Sequence, residues 1–112
     1  MGNPQHLEWL LEGVEAWNAR RLREPFVPDL SGMNVRGEFD WIFDRKRFNA
    51  PALNKIDLSG ANLTRANLEL IDFRNSNFEN SNLTQCTLIF SDLAGSNLRK
   101  VIFDGRICSG HT

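Results

Sequence analysis

The sequence predicts a mainly β fold: a coil of repeated five-residue units, closed at its start by an amphipathic α-helix. Three observations carry this prediction. Ten large apolar residues, Leu58, Leu63, Leu68, Phe73, Phe78, Leu83, Leu88, Leu93, Leu98 and Phe103, stand at an unbroken spacing of five. A mostly small residue precedes each by two places (Ala61, Ala66, Ser76, Ser81, Cys86, Ser91, Ser96), and Asn, Asp or Thr stands just before it, with Ile102 alone breaking that polar column. Near the N-terminus, Leu7, Leu10, Leu11, Val14, Trp17 and Leu22 fall on one helical face.

A period of five fits neither an α-helix nor a flat strand. It fits a short unit that bends the chain the same way each time. Residues two apart in an extended stretch point to one side, so the small residue and the large centre share an interior. Asn and Asp form turns because their side chains bond nearby backbone groups. Each unit is therefore a short extended segment followed by a corner.

The elements follow in chain order within one domain. Residues 1–27 form a capping helix and lead-in. Asn3 is the cap and Pro4 the first helical residue. Glu8, Glu12 and Glu15 come early and Arg20, Arg21 and Arg23 late, which suits the helix dipole. Glu24-Pro25 ends the helix, giving a span of Pro4 to Arg23. Such a helix is a natural lid for the open end of a coil. Trp9 lies opposite the apolar face; it either docks on the nearby insertion or meets a partner.

Residues 28–55 hold two imperfect repeats, Pro28-Asp29-Leu30-Ser31-Gly32 and Met33-Asn34-Val35-Arg36-Gly37, then an insertion from Glu38 to Lys55. Phe39, Trp41, Ile42, Phe43 and Phe48 make the insertion too apolar for a free loop, and a short helix over Phe39 to Arg47 is expected. The Arg45-Lys46-Arg47 triplet reads as a solvated face. The regular array covers 56–105, and 106–112 form a tail with no cap helix.

The units Ala61-Asn62-Leu63-Thr64-Arg65, Ala66-Asn67-Leu68-Glu69-Leu70 and Ser81-Asn82-Leu83-Thr84-Gln85 resemble the A(D/N)LXX pattern of the pentapeptide-repeat family. The lead-in, Trp17-Asn18 with its arginines and then Pro28 to Gly32, is similar to that of many bacterial members. The resemblance implies a right-handed quadrilateral β-helix with four pentapeptides per coil. Two and a half coils, at ~4.8 Å between stacked strands, stand roughly 12 Å tall. Residues twenty apart then stack: Glu79 by Arg99, Leu70 by Phe90, and Cys86 by Arg106 rather than Cys108, which argues against a disulfide.

Composition narrows the function. A net charge of −1 in 112 residues gives no overall pull toward nucleic acid or anionic membrane. No apolar run approaches the ~20 residues that span a bilayer, and no signal peptide is expected. Two cysteines and no secretory signature fit a reducing cytoplasm. His6 and His111 stand near opposite ends, with no zinc spacing and no phosphate-binding glycine loop. Asp57, Asp72 and Asp92 belong to the turn column, and the inward serines have no histidine in register. No enzyme, metal or cofactor is expected.

Leu70, Ile89 and Phe90 stand where the repeat expects polar residues. The insertion, the tail, or a partner covers them. With Trp9 they are the candidate interface of a protein–protein interaction or scaffold module, whose partner is another protein or a second copy. Ile102, Phe103 and Ile107 are candidates for self-association at the C-terminal coil. The alternative, implied by the resemblance, is a DNA mimic acting on a type II topoisomerase such as DNA gyrase. Six acidic residues against four basic over 56–105 make that surface only weakly acidic.

Overall fold

A computed structural model describes residues 2–42, with 39–42 in backbone only, and residues 52–103. Among these residues no strand forms. The β content is a set of isolated parallel bridges, and the only regular elements are three helices. The bridges join residues 20 apart: Ala52 to Asp72 to Asp92, Asp57 to Asn77 to Asn97, Asn62 to Asn82 to Ile102, and Asn67 to Thr87. Four five-residue sides thus make one turn of the coil. Each side is too short to be a strand because only one residue per side bridges, and the next residues already form the corner.

The corners have a common construction. The small residue's N–H donates to the carbonyl of the preceding centre, as from Ala61 to Leu58 (3.2 Å) and from Ser81 to Phe78 (2.9 Å). The residue between, at 55, 60, 65 and so on to 100, takes a positive φ, as the third residue of a type II turn requires. The Asn or Asp side chain clamps the corner: Asn82 Oδ1 accepts from the Thr84 N–H (3.0 Å), and the same bond recurs at Asp57, Asn62, Asn67, Asp72, Asn77, Asp92 and Asn97.

The centres from Leu53 to Leu93 and the small-column residues from Ile56 to Ser91 are buried together, with Phe73 and Phe78 packed edge-on at 5.2 Å. The inward serines carry backbone bonds. Ser96 Oγ donates to the Phe73 carbonyl (2.8 Å) while accepting from the Ser76 N–H (3.0 Å). Ser91 does the same between Leu68 and Ile71.

The array begins earlier than the sequence suggests. Leu53 is a buried centre in phase with Leu58, and Ala52 bridges Asp72. The two imperfect repeats are the first two sides of the same coil: Asp29 bridges Asn62 and Asn34 bridges Asn67, each 33 residues apart rather than 20. Thirteen residues are therefore inserted between the second and third sides. Four layers stack on the first side (Asp29, Asn62, Asn82, Ile102), about 14 Å from end to end at strand spacing.

The expected single helix is two. α1 spans Pro4–Leu11 and α2 spans Val14–Arg23. The break is at Gly13, whose φ of 109° lies outside any right-handed helix. α3, Val35–Ile42, starts four residues before the helix expected in the insertion. Asn34 Oδ1 explains this: it accepts from the Gly37 N–H (2.9 Å), three residues on, and so caps a helix where its counterparts clamp a corner. The Arg45–Arg47 triplet, the rest of the insertion and the tail lie outside the described residues.

α1 and α2 do close the start of the coil. Trp17 is buried and its Nε1 donates to the Asp57 carbonyl (2.8 Å). Asn18 donates to the Lys55 carbonyl (2.9 Å) and accepts from the Asp57 N–H (2.8 Å). Arg21 donates to the Ser59 carbonyl (2.7 Å). Gly2 and Asn3 donate to the carbonyls of Ser31 and Asp29 (2.7 and 2.8 Å). The cap thus satisfies backbone groups that the first coil leaves without a neighbour. Leu22, expected on the buried face, is 91% exposed, because the break at Gly13 changes the phase between the two halves.

Candidate interaction surface

Two of the predicted surface residues come together at one corner. Leu70 and Phe90 occupy the positive-φ place in successive turns, with φ of 54° and 61°. Leu70 is 42% exposed and Phe90 76%. Ile89, beside Phe90, is half-buried, and its carbonyl accepts from the Leu70 N–H (3.0 Å). A bulky residue in the left-handed region is uncommon and costs about 1–2 kcal/mol. Leu70 and Phe90 combine that strain with exposure of a large apolar side chain.

The other three corners hold residues suited to solvent or to positive φ: Gly32, Arg65 and Gln85; Lys55, Asn75 and Gly95; Gly60, Asn80 and Lys100. Positive φ at this place was not read from the sequence. The recurrence of Gly60, Asn75, Asn80 and Gly95 in one column was the signal for it.

The insertion leaves the coil at this same corner. Val35 lies on the side that Asn34 shares with Asn67 and Thr87, and α3 then departs. Arg36 Nη1 donates to the Leu70 carbonyl (3.0 Å). The chain re-enters at Ala52, on the side of Asp72 and Asp92. Thr87 replaces the Asn or Asp of this corner's column, so the carboxamide clamp found elsewhere is replaced by a residue with a shorter side chain.

Trp9 belongs to a different place. Its ring stacks on His6 (5.3 Å) and meets Phe26 edge-on (5.3 Å), with the Arg20 guanidinium 4.1 Å from its centroid. It forms the joint of the helical cap and does not join the Leu70 corner. Arg20 ties the cap further through Glu12 (3.2 Å). Ile102 and Phe103, at the C-terminal end, are 54% and 46% exposed; Ile107 lies outside the described residues. Cys86 is buried in the small column.

Electrostatics are local. Ser31 hydrogen bonds hold the Asp29 carboxyl below its ordinary range, and the Arg74 guanidinium does the same for Asp72 (2.9 Å). The expected Glu79–Arg99 pair does not form among the described residues; Glu79 accepts from Asn97 instead (3.4 Å). The side-chain bond that does link successive turns at a corner runs from Arg65 Nε to Gln85 Oε1 (2.9 Å). Among the described residues no cluster of His, Cys, Asp and Glu could hold a metal, and no helix is long and apolar enough to cross a membrane.

A coil of five-residue sides with an Asx clamp at most corners defines a class of repeat protein. The family described as Pentapeptide repeats matches residues 47–80 and 66–105, with 8 copies, and the chain belongs to it. No curated protein and no solved structure matches the chain.

Proposed function

We propose that this chain is a non-enzymatic interaction module: a right-handed quadrilateral β-helix whose Leu70–Ile89–Phe90 corner receives a protein partner or a second copy. One observation carries the reading. Strained, exposed apolar residues occupy one corner in two successive turns, where the other corners carry Gly, Asn, Gln, Lys or Arg. Burying such side chains is worth about 1.5–3 kcal/mol each. A partner supplies that return; water does not. The inward serines act as structural hydrogen-bonding groups, which supports a scaffold over a nucleophile. A reducing cytoplasm suits a chain with two cysteines.

The DNA-mimic reading gains nothing from these corners. Their positive-φ places hold Lys55, Arg65 and Lys100 and no acidic side chain among the described residues. Excess protein is expected to leave gyrase supercoiling unchanged.

Light scattering over a concentration series, with the array also used as bait, tests the surface. The native chain is expected to self-associate or capture a partner. Leu70→Asn, Ile89→Thr and Phe90→Asn together are expected to abolish that association and leave a folded chain. Association that survives the triple substitution removes this surface and points to Ile102 and Phe103.

A further inference from the structure

We propose that His6 is a pH-operated clasp: protonation of its imidazole releases the α1 half of the cap from the first side of the coil. His6 is buried, and its Nδ1 accepts the Asp29 N–H at 3.0 Å. A backbone N–H only donates, so Nδ1 carries no proton in this contact. The neutral ring's proton is then on Nε2, so the approach of Asn3 Nδ2 to it (3.3 Å) is a contact between two donors and not a hydrogen bond. Protonating Nδ1 sets N–H against N–H and places a charge between the Trp9 ring (5.3 Å) and the Phe26 ring (5.0 Å).

The charges around the ring act in both directions. The Asp29 carboxylate favours the cation, but Ser31 Oγ (2.8 Å) and the Ser31 N–H (3.2 Å) already hold it. On α2, Arg20 lies over Trp9 and Arg21 over Phe26 (5.3 Å), so two cations border the rings that flank His6. Burial prevails and lowers His6 below its ordinary 6.5.

The sign follows. A group held below its unfolded value lends its stability above pH 6.5, and that stability is lost as pH falls from there through the folded value. The release is local. α2 stays pinned by Trp17, Asn18 and Arg21, none of which uses a histidine. What opens is the edge that Gly2, Asn3 and His6 make with Asp29 and Ser31.

Amide hydrogen exchange of the full chain at neutral and mildly acidic pH, expressed as protection relative to the free peptide, tests this. Protection at Asp29, Gly2 and Asn3 is expected to fall ~10-fold for each unit by which His6 lies below its free value. Core amides such as Leu63 and Phe78 are expected to hold. His6→Asn keeps an acceptor near the Nδ1 position and cannot titrate, so its protection is expected to be indifferent to pH. An equal acid-driven loss in His6→Asn overturns the proposal. Nitrogen chemical shifts of His6 in the native chain give a second reading, independent of any variant. An unprotonated Nδ1 and a titration below the free value are expected. Titration at or above that value, or Asp29 protection that persists after His6 protonates, overturns it.

Discussion

Leu70 and Phe90 hold backbone conformations that their side chains disfavour, in places where Asn75 and Asn80 hold them with ease. The difference gives a residue-scale prediction with opposite effects on two properties. Phe90→Asn removes strain and an exposed ring, so it is expected to raise stability by about 1 kcal/mol, seen as a higher thermal midpoint. The same change is expected to weaken association. A side chain kept for packing inside its own chain gives the reverse, a loss of stability on substitution. Gains in stability matched by losses in binding are the mark of a functional surface.

At the scale of elements, residues 4–23 show how one residue redirects a pattern. The apolar spacing runs through Gly13 without interruption, but the backbone there does not. With φ at 109°, Gly13→Ala is expected to cost roughly 1–2 kcal/mol although open space surrounds the position. A urea titration followed by circular dichroism measures it; unchanged stability would mean that α1 and α2 can merge without harm to the cap. Asn34 makes the complementary point. Its side chain could clamp a corner or cap a helix, and here it caps α3.

Across the whole molecule, the helical cap and the coil depend on one another. The first coil leaves the carbonyls of Lys55, Asp57 and Ser59 and the Asp57 N–H unpaired until α2 supplies Trp17, Asn18 and Arg21. Trp17→Phe keeps most of the packing and removes one donor to a buried carbonyl. Its expected cost is about 1–3 kcal/mol, read as a lower urea midpoint. A loss confined to the cap's own amides in hydrogen exchange, with no change in the global midpoint, would show that the coil stands without its lid.

The five-residue coil, the roles of its apolar, small and Asx columns, the helical cap and the exposure of Leu70 and Phe90 were all legible in the sequence. They are local and periodic, and each unit repeats the same short-range argument. The tertiary structure decided what depends on distant partners. Leu53 joined the array because Ala52 found Asp72, although nothing polar announced its corner. The two early repeats joined the first coil across a thirteen-residue insertion, which a fixed period cannot bridge. Trp9 found its covering in the cap, from His6, Phe26 and Arg20, and His6 became a clasp through the backbone of Asp29, 23 residues away. A repeat encodes contacts at its own period. Contacts that fall outside the period exist only once the coil has brought its ends together.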